Sequence, residues 1–476
     1  MRIIFLFSII FSWVNLIVAQ RITVSEEVNL DSGWEYEIMG KYNGNILLAK
    51  YNDQSLHLKA FDSQMVQVWD RSHPFEARRI LIHKVIGLSK NIGVIYNEIY
   101  KDSTLLLLRW IKSDANYEDT VTLYTTHNKS DLRKVHIEIS NNKRWLIAHF
   151  LLKDKSLVCL RYDLWEKKQS ENFELNVSGT EFRNNFRKLQ ISDEGTIFIS
   201  LESQEQLFSS NKPIWQFLSI PLGSPEAFKQ EIPTDEIYFD ETSLAIDNKQ
   251  DILIMAGVFK TRSSDRYNHG IAICVLGHKT PIVPTIQLKR FSNWLEPHLK
   301  DKLIKESVQN FTEGLEIRDI LPRQDGGFVL LMEKKEELTR LNSTYRADPF
   351  RTNVSTDYFF EDIIAVGVSQ SCDIEWQKFL VKKQYSYDDA GIYSSYGLFK
   401  TPQITRILYN DEIKNENTVS EYLLTGSGAF QRKILMSTDR QDIKLQFGSS
   451  VQIDLKEIII PSVWKSSLKL VQLRYP

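Results

Sequence analysis

The chain has 476 residues, with 59 Lys and Arg against 61 Asp and Glu, 11% aromatic residues and three cysteines. A formal net charge of −2 excludes a broad basic field of the kind that holds nucleic acid or an anionic membrane. Three cysteines allow at most one disulfide, so the core is expected to form without cross-links.

The N-terminus comes first. Arg2 supplies a positive charge, Ile3–Ile17 is nearly all apolar, and Val18-Ala19 offers a small residue at a cleavage point before Gln20. This pattern predicts a secretory signal peptide over residues 1–19. No later apolar run is long enough to span a bilayer. The mature chain is therefore expected to be exported (periplasmic, cell-surface or secreted), with no transmembrane span and no nucleic-acid partner.

After the leader, one phrase recurs: an alternating stretch, a polar turn, then an apolar run. It runs Glu37-Ile38, Lys41–Asn45, Ile46–Ala49, and again Ile86–Ser89, Lys90–Gly93, Val94–Tyr96. Further copies begin at Ile137–Ser140, Leu189–Ser192, Leu244–Asp247 and Ile317–Leu321. Between Ile38, Leu88, Ile139, Ile191, Ile246 and Leu321 the gaps are 50, 51, 52, 55 and 75 residues. A period near 50 with several short strands per unit predicts a propeller-like array. A second hydrophobic strand follows in most units (Leu56–Phe61, Leu105–Trp110, Leu157–Tyr162, Ile271–Leu276, Ile363–Val368), and Met65–Trp69 and Asp373–Trp376 end at a tryptophan. Asn43-Gly44, Asp193-Glu194-Gly195 and Asp325-Gly326-Gly327 mark the turns.

Two insertions stretch the beat. In Asn293–Val308, Leu295, Leu299, Leu303 and Val308 fall at helical spacing and predict one short amphipathic helix. Glu333–Phe360 reads as a long polar loop within the sixth unit, the segment best suited to a partner. A seventh, degenerate unit opens at Ile404–Tyr409. An eighth would need Val451–Leu455, Ile458–Ile460 and Leu468–Leu473 to join Ile22–Val28. We expect those terminal strands to share one blade and close the ring, because closure removes exposed edges. The expectation is an all-β, β-propeller-like fold of seven blades with one short helical insertion. It would form a single domain over residues 20–476, with insertions at 292–312 and 333–360.

Chemistry leaves little local trace. The nine histidines are scattered, with no His-x-x-x-His pair and no Cys-x-x-Cys. His149 lies in an apolar strand and reads as a core or edge residue. Asp240-Glu241 and Asp388-Asp389 read as solvated turns, since neither completes a calcium loop. Gly426-Ser427-Gly428 reads as a turn before a strand, not a nucleophile elbow. Ser192-Asp193-Glu194-Gly195-Thr196 lacks two spacers of the sialidase Asp-box. No catalytic, cofactor-binding or metal-ligating residue is assigned, and no cofactor is implied.

The unit Asn43–Ala49, Leu56–Asp62, Val66–Trp69, and the pair Asp325–Leu331 with Asp373–Lys378, resemble the repeats of exported, propeller-like bacterial envelope proteins. In those proteins an Asp-Gly-Gly-hydrophobic hairpin precedes a strand ending in Trp and Lys. Lys383–Ser386, Asp388-Asp389, Ser394–Tyr396, Tyr409–Asp411 and Lys414-Asn415 continue the resemblance. That group is largely uncharacterised, so the resemblance implies a fold and a compartment and no activity. The function expected is a non-enzymatic binding or scaffold protein of the cell envelope, with a protein or glycan partner on one propeller face. The alternative is a carbohydrate-active hydrolase or lyase, because paired carboxylates on distant strands leave no motif.

Overall fold

The apolar run after each polar turn becomes the second strand of a four-stranded sheet, and burial explains its composition. Trp145–Leu151 and Ile252–Lys260 are buried along nearly their whole length, because a blade packs on both faces against its neighbours. Outermost strands such as Gln67–Pro74 are mostly exposed and carry the charge. A computed structural model describes residues 20–476 except 78, 129–130, 153–155, 176–185, 204–213, 225, 235–236, 251, 263, 278–285, 296–310, 343–352, 412–417 and 439–442.

Eight antiparallel sheets form the blades. The innermost strands of the first six are Glu35–Tyr42, Ile80–Gly87, His136–Ile139, Phe186–Ile191, Tyr238–Asp247 and Leu315–Pro322. Gly397–Lys400 and Val451–Gln452 complete the ring. These first strands follow one another around the axis, and Val451–Gln452 lies against both Gly397–Lys400 and Glu35–Tyr42, so the ring closes. Each seam between neighbouring blades holds its own apolar cluster. Ile147, Cys159, Leu189 and Ile199 fill the seam of blades 3 and 4, and Ile254, Ile273, Ile317 and Leu330 that of blades 5 and 6. All three cysteines are buried and unpaired.

Seven blades were expected and eight are present. Glu457–Trp464 and Ser467–Arg474 are the middle strands of the eighth, and Arg21–Val24 pairs with Ser467–Arg474 as its outer strand. The sequence named these terminal strands as one shared blade but left them out of the count of seven, because a blade assembled from both chain ends has no period and its inner strand is only two residues long. The sharing of one blade by the termini is as expected. In the seventh blade Ile404–Asn410 is the second strand, with Gly397–Lys400 inside it.

The described part of the 333–360 segment is strand rather than loop. Phe328–Asn342 and Asn353–Val368 pair from Phe328↔Val368 out to Asn342↔Asn353 as a hairpin projecting beyond its blade. Past the blade there is no apolar seam to face, so the sequence turns polar and its strand period is lost. Gln384–Tyr387 adds a third strand to this hairpin. Of the expected amphipathic helix, residues 296–310 lie outside the described residues, and Phe291–Trp294 forms a single helical turn. Residues 1–19, the expected signal peptide, also lie outside them. No helix among the described residues is long and apolar enough to cross a membrane.

Candidate functional site

Two regions gather polar chemistry: the axis of the ring and the face that carries the strand 1–2 turns.

At the axis, charges of opposite sign come from successive blades. Glu37 of blade 1 pairs with Lys84 of blade 2 and also accepts from the Val85 N–H at 3.5 Å. Glu138 of blade 3 feels Lys188 of blade 4 and Lys84. Glu241 of blade 5 feels Glu316, Arg318, Lys188 and Lys335. Burial raises the carboxyls of Glu138 and Glu316. Glu241 is touched by water yet walled by the surrounding blades; desolvation first, and Glu316 second, push it up to about 7. The innermost strands of blades 1, 2, 4, 5 and 6 each carry a register shift, at Ile38/Gly40, Ile82/Lys84, Phe186/Lys188, Phe239/Glu241 and Ile317/Asp319. Such bulges re-aim side chains. Here they set Lys84, Lys188 and Glu241 beside a shift.

The axial charges continue into blade 6. Glu333, opposite Glu316 in register, is fully buried and is met by Lys382 at 2.7 Å, Arg318 at 3.3 Å and the Ser395 hydroxyl at 2.6 Å. Lys382 also donates to the Phe360 carbonyl (3.2 Å) and to Gln384 Oε1 (2.9 Å). Burial pulls the Lys382 ammonium down and Glu333 opposes that pull. Gln384 then holds both the N–H and the carbonyl of Ser395, and the Asn410 carbonyl. The segment between blades 6 and 7 is thus bound through side chains in addition to the short ladder of Gln384–Tyr387.

On the opposite face the recurring polar turns interlock. Asn142 donates its N–H to Asp193 Oδ1 (2.7 Å), and the Asp193 N–H donates to Asn248 Oδ1 (2.9 Å), linking blades 3, 4 and 5. Beyond them the seam of blades 6 and 7 opens into a cleft of about 690 Å³, lined by Lys249, Arg323, Asp325, Glu375, Trp376 and the Thr401–Thr405 and Leu424–Ser427 segments. The Arg323 fork is held by Asp325 (Nε to Oδ1, 3.0 Å) and by Glu375 (Nη1 to Oε2, 2.6 Å). That pairing lowers the Asp325 carboxyl and raises the Arg323 guanidinium, keeping both charged. The Trp376 indole N–H donates to the Gly426 carbonyl at 3.2 Å. A Cβ on Gly428 would meet this ring at 2.5 Å, so Gly428 (φ +81°) is required there.

No site residue was assigned from the sequence, and the residues weighed there settle as follows. Asp240-Glu241 lies in the innermost strand of blade 5 and not in a turn: Asp240 pairs with Lys260 at 2.8 Å while Glu241 faces the axis. Asp388 caps the Thr356 N–H, and Asp389 the Gly391 N–H. Gly426-Ser427-Gly428 is the expected turn and forms a wall of the cleft. His149 is buried and stacked on His136 with centroids 5.1 Å apart. Among the described residues there is no group of three His, Cys, Asp or Glu arranged for a metal. The axial charges went unseen because they sit at different offsets within the repeat. Glu37 and Glu138 sit within the ordinary polar–apolar alternation of their strands, so no local signal sets them apart from other polar strand positions.

No known protein family matches the chain, and no curated protein matches it. Solved structures resemble it as β-propellers. The WD40 domain of SCAP from fission yeast is 10% identical, with 96% of this chain and 98% of that one covered and a TM-score of 0.42. A europium-containing methanol dehydrogenase is 9% identical over 95% and 93%, with a TM-score of 0.45. The propeller domain of the Trilobed protease from Pyrococcus furiosus is 10% identical over 84% and 98%, with a TM-score of 0.35. At these identities and TM-scores the fold rests on the eight sheets of the chain itself, and the matches add nothing finer.

Proposed function

We propose that the chain is a non-enzymatic binding or scaffold module of the cell envelope, with its partner on the face that carries the strand 1–2 turns. One observation carries this reading: the open cleft at the seam of blades 6 and 7, set among turns that lock the neighbouring blades together. A rigid ring with a concave, partly polar opening is suited to hold a partner without ordering costs. Export and an envelope location rest on the N-terminal pattern of Arg2 and Ile3–Ile17. Affinity purification of the tagged full chain from the native envelope tests the proposal. A specific partner lost when Arg323 and Trp376 are both replaced by alanine is the expected result. The reading fails if what is recovered is the same with and without those side chains.

A second reading, a carbohydrate-active hydrolase or lyase, is favoured by Glu241. Its carboxyl is pushed up to about 7 beside Glu316 and Arg318, as suits a proton donor at neutral pH. Turnover on a polysaccharide panel, abolished by Glu241→Gln, would replace the first reading with this one. A panel with no turnover removes it.

A further inference from the structure

The cleft at blades 6 and 7 is one half of a longer groove. A second depression of about 540 Å³, lined by Ser369, Gln370, Ser371 and Gly327, shares Arg323, Asp325 and Glu375 with the first. The three shared residues form the saddle between the two halves. A chain laid along the groove would cross from the Ser369–Asp373 turn of blade 6 to the Thr401–Ile404 turn of blade 7, over that saddle.

We infer that this groove binds a neutral, linear glycan. Three features select the ligand class. Charge comes first: the ionisable residues of the larger half are Lys249 and Arg323 against Asp325 and Glu375, so neither an anionic nor a cationic chain gains net attraction. Fixed acceptors come second. Arg323 is largely covered (13% exposed) and bonds both oxygens of Asp325 but only one of Glu375, while the Asp325 and Glu375 side chains remain 59% and 40% exposed. Their free lone pairs therefore stand at set positions toward the groove, where sugar hydroxyls can donate to them. Around them, Gln324 and Gln403 add neutral donors and acceptors beside the apolar Leu321 and Ile404, which suit the apolar face of a sugar ring.

The backbone argues against an extended peptide. Strand addition needs free N–H and C=O groups along an edge, and the rim turns have spent theirs internally. Arg323 N–H bonds the Gly327 carbonyl, Cys372 N–H the Ser369 carbonyl, Thr401 N–H the Ile404 carbonyl and Thr425 N–H the Ala429 carbonyl. What the rim presents is side-chain amides and carboxylates, Gln324, Gln370, Gln403 and Glu375 among them, the partners a glycan uses.

The inference rests on the binding reading above, and its test separates the two. The purified mature chain is titrated calorimetrically with neutral linear hexaoses of glucose, mannose, galactose, xylose and N-acetylglucosamine, while reducing ends are assayed in the same samples. At least one series is expected to bind, roughly ten- to a hundred-fold more weakly to Glu375→Gln. Gln403→Ala, which removes an exposed side chain with no structural bond, should weaken it several-fold at an unchanged melting temperature. Absence of binding by every hexaose overturns the inference, as does binding equal in both variants. Displacement by peptides from an envelope digest, sensitive to Glu375→Gln, overturns the ligand class and leaves the binding reading standing. Release of new reducing ends overturns the non-enzymatic reading and leaves the ligand class standing.

Discussion

Blades 1–5 and blades 6–8 solve the same packing problem by different means. In the first group the innermost strands meet in an ordered series of opposite charges, the turns interlock, and apolar seams do the rest. In the second, a projecting hairpin, a segment bound by side chains and a blade shared by the termini replace the regular repeat. Fully buried carboxylates stand there, Glu333 with Lys382 and Arg318, Glu421 with Arg406 and Tyr475, and Glu457 with Lys41 and Arg474, while the regular half buries the Arg161 guanidinium beside Glu171 and the Glu202 carboxyl beside Arg187. The seams of this group hold apolar clusters too, and paired charges and side-chain hydrogen bonds add to them. The groove opens within the second group, at the mouth of the seam of blades 6 and 7.

The comparison breaks most visibly at Glu333. Replacing it by alanine leaves Lys382 buried without its carboxylate, and about 3–5 kcal/mol of stability should be lost in denaturant titration. The double change Glu333→Leu with Lys382→Met removes both charges and should recover much of that loss. If the single and double variants unfold together, the buried pair does not set this region. In the regular half the matching test is apolar. Ile147→Ala opens a void in the seam of blades 3 and 4, where Ile147 is fully covered, and should cost about 2–4 kcal/mol by the same measurement.

A pH series sharpens the contrast. Burial pushes His149 down to about 3 and His83 to about 4, below their unfolded value of 6.5. Below 6.5 the unfolded chain then binds protons that the folded chain refuses. The stability these residues contribute is complete above pH 6.5 and is lost as pH falls toward 4 and then 3. At pH 5 the loss from His149 amounts to about 2 kcal/mol, and His149→Phe should flatten that part of the profile. Glu241 acts with the opposite sign. Its carboxyl at about 7 contributes loss as pH rises from its ordinary value through 7, softened by the water that reaches it. The smallest effect is expected at the axis: Lys84→Met removes a part-exposed partner of Glu37 and should change stability by less than about 1 kcal/mol.

How much of this was legible depended on whether a residue's role repeats. Asn43-Gly44 and Asp325-Gly326 announced their turns because Asn43 (φ 47°), Gly44 (φ 84°) and Gly326 (φ 87°) adopt left-handed backbone, which selects residue type locally. The buried second strands were legible because burial on both faces demands an unbroken apolar run. Glu333 offered no such signal. In sequence it is one charge in a polar stretch, and the residues that neutralise it lie 49 and 62 positions further on, at Lys382 and Ser395. The groove was equally hidden, since Lys249, Arg323, Glu375 and Thr401 belong to three different blades.

The sequence by itself determined that the chain is an array of small antiparallel sheets with a period near 50, because turn geometry and strand burial act over a few residues. That the ends meet was an expectation from the cost of exposed edges, and the pairing of Arg21–Val24 with Ser467–Arg474 shows it. Only the tertiary structure decided that the blades number eight, since a blade made from both ends carries no period. It alone brought Glu37, Lys84, Glu138, Lys188 and Glu241 to one axis, and Arg323, Asp325 and Glu375 to one saddle. Electrostatic and hydrogen-bonding partners are chosen by distance in space, and that distance exists only after the ring has closed.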